Sequence, residues 1–328
     1  TALRVVGLLT LCVLTSQGFN VSAPLQYLVL QSNAKLSDLV GDPPNGDSHL
    51  EGSGVFYRRD VGQAYVVCDN LPTDVVDVNF NGTTDSYINL NRVKDIESYE
   101  GITFDNQTKT YYLVTEEVHV VGFNRYKARI LAFNENFRLQ SRNDVDFTFR
   151  DSHKGIEGLA SVYRNGSHYL LGLCEGNHCK GGDTGKSPGK GTILVLRFDP
   201  TFGSREGRWI VDDKIMLPSE LPFEDYSGID VYENRWITVV SQTSRLFWAG
   251  QLNQDSWSVE GGSDAGYLYA FPKNQLGQKE FCNVEGVSWI DSSTVVITSD
   301  KSDTLSCEHY AESISIFTVP FNETSSNY

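Results

Sequence analysis

The chain has 328 residues, a formal charge of −15, an aromatic content of 12%, 29 glycines and one methionine. A charge this negative argues against nucleic acids and anionic lipid surfaces as partners, and it suits the binding of cations. The aromatic and glycine content predicts an all-β, turn-rich domain.

The N-terminal segment predicts a secretory signal. A basic start at Arg4 is followed by an apolar run over residues 5–14 and by small and polar residues over 15–18. We expect a signal peptide over residues 1–20, with cleavage at about residues 18–23, and a single domain over residues 24–328. The apolar run is too short to span a bilayer. These features favour a secreted, monomeric protein that has no membrane contact.

Tripeptides that accept N-linked glycans support the same compartment. They begin at Asn20, Asn81, Asn106, Asn165 and Asn322. A chain that carries several such sites is expected to be a glycoprotein of the secretory pathway.

The cysteines also fit an oxidising compartment. Beyond Cys12, which lies in the expected signal peptide, five cysteines remain, so an odd count predicts one free thiol. We expect Cys68, inside the apolar run 64–68, to be the buried free cysteine. The expected disulfides are Cys174–Cys179 and Cys282–Cys307. A zinc site formed by Cys174, His178 and Cys179 is the alternative.

A dipeptide of Ser or Glu followed by Gly opens five β-rich segments, roughly 47 to 70 residues apart. The pairs are Ser53-Gly54, Glu100-Gly101, Glu157-Gly158, Ser227-Gly228 and Glu285-Gly286. In each segment a short first strand, a turn and a second strand rich in β-branched and aromatic residues follow the pair. The second strands are predicted over 64–68, 110–114, 168–173, 235–240 and 294–298, and the third strands over 74–80, 128–133, 192–198, 266–271 and 313–317.

Fourth strands are weaker in the sequence, for example over 86–90 and 207–211, and the last segment lacks one. The early strand over residues 25–31 is expected to fill that place. Five repeats of this kind, closed by a terminal strand, predict a five-bladed β-propeller with four-stranded antiparallel blades, because radial closure leaves few exposed edges. A β-sandwich is the alternative, but it does not explain the repeated dipeptide.

Two sets of polar residues are predicted to meet at one mouth of the ring. The strands of a blade alternate in direction, so the start of the first strand and the end of the second lie on the same face. The candidate acid or base groups at the second-strand ends are Asp69, Glu116, Glu175 and Asp300. Long loops over 175–191, 242–265 and 300–312 are expected on this face, where ligands bind. The candidate ligand-binding residues are His178, Trp248, Lys301, His309 and Tyr310.

The residues that open the first strands are expected to surround the axis. Carboxylates held this close are unfavourable unless they are protonated or neutralised. Ca²⁺ takes six to eight oxygen ligands in flexible geometry, whereas Mg²⁺ demands tighter octahedral coordination and is less expected. The predicted calcium ligands are Ser53, Glu100, Glu157, Ser227 and Glu285. In the alternative, these glutamates accept backbone N–H groups or bind channel water.

The order Ser, Glu, Glu, Ser, Glu at five inner-strand starts resembles the central calcium site of the calcium-activated nucleotidase (apyrase) family, which are secreted five-bladed propellers. The sequence from Ser53 to Asn70, together with Glu100-Gly-Ile and Glu157-Gly-Leu, is also similar to the bacterial SdiA-regulated propeller family. The resemblance implies a propeller fold in which the axial residues bind calcium.

Three functions are compatible with these features. The first is a secreted calcium-dependent enzyme that hydrolyses a phosphate or ester of a small substrate at the mouth. The second is a secreted oxidative enzyme of the luciferase type, which acts on an organic substrate with O₂. The third is a non-catalytic propeller that binds a glycan or peptide through Phe247, Trp248 and Trp257.

Overall fold

A computed structural model describes residues 25–43, 49–71, 73–80, 85–90, 98–120, 125–152, 154–201, 207–302 and 307–321. The expected signal peptide and the glycosylation sites at Asn20, Asn81 and Asn322 lie outside these residues. Across the described ranges, no helix has the length and apolar character that a membrane crossing requires.

The structure begins with two strands and a short helix, which are β1 (Gln26–Tyr27), β2 (Val29–Lys35) and α1 (Leu36–Val40). Blade 1 consists of β3 (Gly52–Arg58), β4 (Gln63–Cys68), β5 (Asp74–Asn79) and β6 (Ser86–Asn89). Blade 2 consists of β7 (Gly101–Asp105), β8 (Thr110–His119), β9 (Tyr126–Asn134) and β10 (Leu139–Asp144). Blade 3 consists of β11 (Ile156–Arg164), β12 (Ser167–Cys174), β13 (Thr192–Asp199) and β14 (Arg208–Met216).

Blade 4 consists of β15 (Gly228–Tyr232), β16 (Trp236–Ser241), β17 (Leu246–Gln251) and β18 (Tyr267–Ala270). Blade 5 consists of β19 (Val284–Trp289), β20 (Thr294–Ser299) and β21 (Ser313–Thr318). A second short helix, α2 (Gly182–Gly185), and 3₁₀ turns at Asn177–Cys179 and Glu308–Tyr310 lie in the loops.

The ring is closed by the N-terminal segment. Strand β2 pairs antiparallel with β21 and completes blade 5, as the sequence predicted. Strand β1 pairs in parallel with β18, which gives blade 4 a fifth strand that the sequence did not predict. One continuous segment therefore ties two neighbouring blades together.

The first strands of the blades surround a common axis. Each contacts the next in the closed order β3, β7, β11, β15, β19 and back to β3. Five sheets in a ring, with mainly antiparallel strands, confirm the predicted five-bladed β-propeller. Buried apolar side chains fill the wedge between each pair of neighbouring blades, for example Leu173, Ile193 and Val239 between blades 3 and 4.

The assignment of strands in blade 4 was wrong, and with it the ligand-binding role of Trp248. The third strand is β17, not residues 266–271, and it carries both Phe247 and Trp248 in full burial. The Trp248 indole donates a hydrogen bond to the carbonyl of Ala265 at 2.8 Å. A strand packed between blades is apolar on both faces, so its aromatic residues belong to the core.

The residues after β17 lie on the face opposite to the predicted mouth, because β17 runs away from it. Trp257 is therefore also on that opposite face, where the Arg164 guanidinium stacks 3.8 Å from its ring centroid. Phe247, Trp248 and Trp257 therefore do not form the aromatic loop that the sequence predicted at the mouth.

The cysteine predictions are confirmed. Cys174 is joined to Cys179 and Cys282 to Cys307, and Cys68 is a buried free cysteine whose thiol pKa is raised by burial. The zinc alternative is wrong, since the Sγ atoms of Cys174 and Cys179 are bonded to each other.

Candidate functional site at the acidic mouth

The repeated dipeptides lie where the inner strands crowd the axis. The narrow channel is lined by Ser53, Glu100, Glu157 and Ser227, together with the glycines that follow them. A Cβ atom added to Gly228 would lie 2.3 Å from the carbonyl oxygen of Glu285 on the next blade. The glycines thus allow neighbouring strands to approach, and this fixes the spacing of the preceding polar side chains.

Three carboxylates from two kinds of position come together at the channel mouth. Glu157 precedes Gly158 in the inner strand β11, whereas Glu116 and Glu175 lie at the mouth end of second strands. Each of the three offers an oxygen within 4.8 Å of the others. We call these residues the carboxylate triad. It joins one predicted calcium ligand to two residues predicted as acid or base groups.

Burial and mutual repulsion disfavour ionisation along the axis. Burial, with the carboxylate of Glu116 close by, raises the pKa of Glu100 to about 8. The pKa of Glu157 is raised well above its ordinary value by burial and by Glu100 and Glu116. Burial and the charge of Asp300 raise the pKa of Glu285 in the same direction.

The rim shows the same effect to a smaller degree. Burial raises the pKa of Asp69 to about 7, with Asp300 and Glu51 adding repulsion. Burial raises the pKa of Asp300 to about 6. Burial also raises the pKa of Glu175 to about 7, although the Lys154 ammonium group bonded to it acts in the opposite direction. The mouth therefore holds more carboxylates than nearby cations can neutralise.

The donor atoms of the mouth fit a hard cation. Within the described part of the chain, one buried oxygen of Asp69 and one of Glu175 have no hydrogen-bond partner. Such atoms carry a desolvation cost that a bound ion would remove. All donors here are oxygens, which are the ligands that Ca²⁺ takes, and neither His nor Cys belongs to the triad. The Ser227 hydroxyl donates a hydrogen bond to the carbonyl oxygen of Val284 at 2.8 Å, so its proton is used in a bond within the protein.

The predicted ligand-binding residues have different environments. Lys301 makes an ion pair with Glu51 at 3.0 Å on the rim. His178 is exposed, and its backbone N–H donates to the carbonyl of Lys190. His309 is exposed in a 3₁₀ turn, and the ring of Tyr310 stacks on Phe281 with centroids 4.2 Å apart. Tyr310 therefore packs against the core between blades 4 and 5.

Sequence reasoning missed the residues that precede the axial positions. Asp225, two residues before Ser227, accepts hydrogen bonds from the side chains of Ser241 and Thr243, both at 2.5 Å. Glu51 holds the corresponding place before Ser53, and its backbone N–H donates to Asn70. Asp225 and Glu51 both lie two residues before an axial serine and bond to residues at or just after the end of a second strand, so this sequence offset was the available signal.

These features define a class of protein, a five-bladed β-propeller with an acidic channel mouth. No family model matches the chain, and no curated protein does either, so the resemblance to the apyrase and SdiA-regulated families stays a prediction. Among solved structures, the chain is similar to a luciferin-regenerating enzyme, with 10% identity, a TM-score of 0.48 and coverage of 89% of this chain and 96% of that one.

Two further solved structures show the same level of similarity. The PQQ-bound aldose sugar dehydrogenase of Streptomyces coelicolor has 10% identity and a TM-score of 0.45, covering 88% of this chain and 98% of that chain. The RRP9 WD40 repeats have 8% identity and a TM-score of 0.43, covering 90% and 99%. Identities and scores this low assign no function, and the fold assignment rests on the strand pairing itself.

The raised pKa values lead to a prediction for stability without metal. Between about pH 4, where these carboxyls titrate in the unfolded chain, and about pH 8, the folded state binds more protons than the unfolded one. In EDTA, we therefore expect the protein to lose stability as the pH rises, with a fall in Tm of about 5 °C or more between pH 5 and 8. Thermal scans at constant ionic strength measure this. A Tm that rises over the same range would contradict the electrostatics described above.

Proposed function

We propose that the chain is a secreted, calcium-binding propeller enzyme that hydrolyses a phosphate or ester of a small substrate at the acidic mouth. The observation that carries the proposal is the carboxylate triad, whose oxygens lie within 4.8 Å of one another at the end of a narrow channel. A small substrate would reach this mouth from solvent without passing through the channel.

Glu157 would hold the cation, with Glu116 and Glu175 as partners. Glu100 and Ser53 line the channel next to the triad and extend the set of oxygen donors. This proposal revises the roles predicted from sequence, because Glu116 and Glu175, predicted as acid or base groups, become metal ligands. When bound, calcium neutralises the carboxylates and polarises a phosphoryl or carbonyl oxygen.

Asp69 is the residue placed to hold a proton. A general acid is most effective when its pKa lies near the working pH, and the pKa of Asp69 is raised to about 7. Burial, together with repulsion from Asp300 and Glu51 at the same edge of the mouth, keeps the proton on the carboxyl group. An anionic substrate would approach Lys301, whose ammonium group contacts Glu51, and Lys154, whose ammonium group contacts Glu175.

Secretion is part of the proposal. Asn106 and Asn165, the two glycosylation sites inside the described residues, are exposed in hairpins on the face opposite to the acidic mouth. Glycans there would leave the mouth open. The glycan-binding alternative loses its aromatic platform, because Phe247 and Trp248 are buried. The oxidative alternative stays a prediction from sequence.

Hydrolysis assays test the proposal. We expect p-nitrophenyl phosphate, ATP or p-nitrophenyl butyrate to be hydrolysed in calcium and at least 100-fold more slowly in EDTA. Glu116→Gln and Glu175→Gln should each lower the calcium-dependent rate by a similar factor, because each removes a charged oxygen from the triad.

Glu260→Gln is the matched control, since it makes the same chemical change in the loop on the opposite face. It should keep the full rate. No calcium-dependent hydrolysis of any of the three probes by the folded protein would refute the hydrolase proposal. Activity that survives both triad substitutions would move the site elsewhere.

A further inference from the structure

A cavity of about 430 Å³ opens at the end of the channel opposite to the acidic mouth. It lies where the first strands end, at Arg58, Phe104 and Tyr163. Its wall combines aromatic rings with guanidinium, carboxylate, amide and hydroxyl groups. The lining residues used below are Phe56, Tyr57, Phe104, Ser161 and Asn234. A concave site of this size with a few convergent polar groups is typical of small-molecule binding.

Ser161 in this wall is hydrogen-bonded to a histidine behind it. The Ser161 Oγ atom lies 3.0 Å from Nε2 of His168. The two residues are on the paired strands β11 and β12, where His168 lies opposite Tyr163 and diagonal to Ser161. The backbone N–H of Ser161 donates to Thr103 on blade 2, which fixes the serine against the neighbouring blade.

His168 is held between aromatic rings. Its ring stacks on Tyr112 at 5.5 Å and contacts Tyr163 at 5.1 Å and Trp209 at 6.2 Å. Burial lowers the pKa of His168, an effect that the nearby Asp105 carboxylate opposes. A neutral imidazole is the form that accepts a proton from a serine hydroxyl.

Asp105 supplies a fixed negative charge close to this imidazole. The carboxylate is fully buried and accepts hydrogen bonds from Tyr163 at 2.7 Å, from Thr108 at 2.5 Å and from the backbone of Gln107 at 2.8 Å. Burial alone would raise the pKa of Asp105, but these hydrogen bonds outweigh it and lower the pKa. An ionised acid near a buried base stabilises the imidazolium that forms during proton transfer.

We propose that Ser161 is a nucleophile toward small carboxylic esters, with His168 as its base, in the cavity opposite to the acidic mouth. A nucleophile and base within hydrogen-bond reach, with a third group stabilising the base, is the arrangement that activates a serine. The site shares no residue with the carboxylate triad. Asn106, an expected glycosylation site, lines the same cavity, so the assays below use the full chain produced without N-linked glycans.

The reaction is a two-step hydrolysis. Ser161 Oγ bonds to the acyl carbon while its proton passes to His168 Nε2, and the bond from that carbon to the alcohol oxygen breaks as the alcohol takes the proton. A water molecule then loses a proton to the same imidazole as its oxygen bonds to the acyl carbon. The bond from that carbon to Ser161 Oγ breaks, Oγ takes the proton back from His168 Nε2, and the carboxylic acid leaves. Water is the only co-reactant.

The wall indicates the class of ester. Phe56, Tyr57 and Phe104 provide apolar ring surface, which suits an aryl or short alkyl group rather than a long chain in a cavity of about 430 Å³. Asn234 on blade 4 accepts from the backbone N–H of Tyr163 through Oδ1, which orients its amide at the edge of the site.

A fluorophosphonate probe and phenyl acetate test the assignment on the full chain. We expect the probe to label the peptide that contains Ser161, as identified by mass spectrometry, and EDTA to leave labelling unchanged. Ser161→Ala should abolish labelling and lower phenyl acetate hydrolysis at least 100-fold. His168→Asn should lower both by about the same factor, since a general base contributes roughly 10²–10⁴-fold.

Ser292→Ala, an exposed change in the hairpin that joins β19 and β20, is the control and should react like the parent. Labelling of the folded parent needs no variant, so misfolding of His168→Asn would not obscure the result. A folded parent that is not labelled at Ser161, or a Ser161→Ala variant that only loses thermal stability, would show that the pair is a structural hydrogen bond within blade 3 and would overturn the proposal.

Discussion

Replacement of Gly228 by alanine is expected to destabilise the propeller by about 3 kcal/mol or more, which corresponds to a fall in Tm of roughly 6 °C or more. The added Cβ would lie 2.3 Å from the carbonyl oxygen of Glu285 and 3.1 Å from the backbone nitrogen of Val287. Both atoms belong to β19, the inner strand of blade 5. The clash is relieved only if blades 4 and 5 move apart. Movement at one interface disturbs a closed ring as a whole.

Gly262→Ala is the matched control for this prediction. In that loop glycine the nearest atom to an added Cβ is 3.6 Å away, which is an ordinary contact. Its unfolding free energy should change by less than about 0.5 kcal/mol. Urea unfolding of both variants measures the difference. Equal stability of Gly228→Ala and Gly262→Ala would show that the axial glycines are not required by close packing.

The same crowding explains why so much of the fold could be predicted from sequence. A position that only glycine tolerates, preceded by Ser or Glu, repeats once per blade, and that regularity gave the number of blades. The closing strand was predictable because the last segment lacked a fourth strand, a place that β2 fills. Local pattern and global closure therefore indicate the same structure.

Blade 4 could not be predicted in the same way, because burial on both faces removes the alternating pattern. Residues 246–251 are apolar on each side, and without alternation they read as a loop with exposed aromatic residues. The parallel pairing of β1 was also hidden, since two residues carry no periodicity.

The candidate site was partly predictable. Glu157, Glu116 and Glu175 were each found from their place in the repeat and were predicted to share one mouth, but that these three form one cluster within 4.8 Å was not predicted. Glu116 lies where the register of β8 shifts between Thr115 and Val118, an irregularity that the sequence pattern does not show. The cavity around Ser161 gave no sequence signal, because Ser161 and His168 look like ordinary members of a hairpin. Their proximity arises from the diagonal relation across paired strands.

Replacement of Glu157 by glutamine is expected to abolish the stabilisation of the fold by calcium. In EDTA the variant should be at least as stable as the parent. If calcium binds the triad, an ion at 100 times its Kd should stabilise the parent by about 2.7 kcal/mol, or roughly 5 °C in Tm. Glutamine keeps the size of the side chain but removes a central ligand charge, so the variant should gain less than about 1 °C.

The two outcomes separate a metal site from a merely acidic cluster. In EDTA at pH 8 the parent bears the cost of burying the Glu157 carboxyl beside Glu100 and Glu116, whereas the variant does not, so Glu157→Gln should melt at the same or a higher temperature than the parent. Glu260→Gln should follow the parent in both conditions. Thermal scans of the three proteins in calcium and in EDTA measure these values. A Glu157→Gln variant that keeps the full calcium shift would place the ion elsewhere, whereas one that is destabilised in EDTA would show that Glu157 ties the inner strands through its own hydrogen bonds.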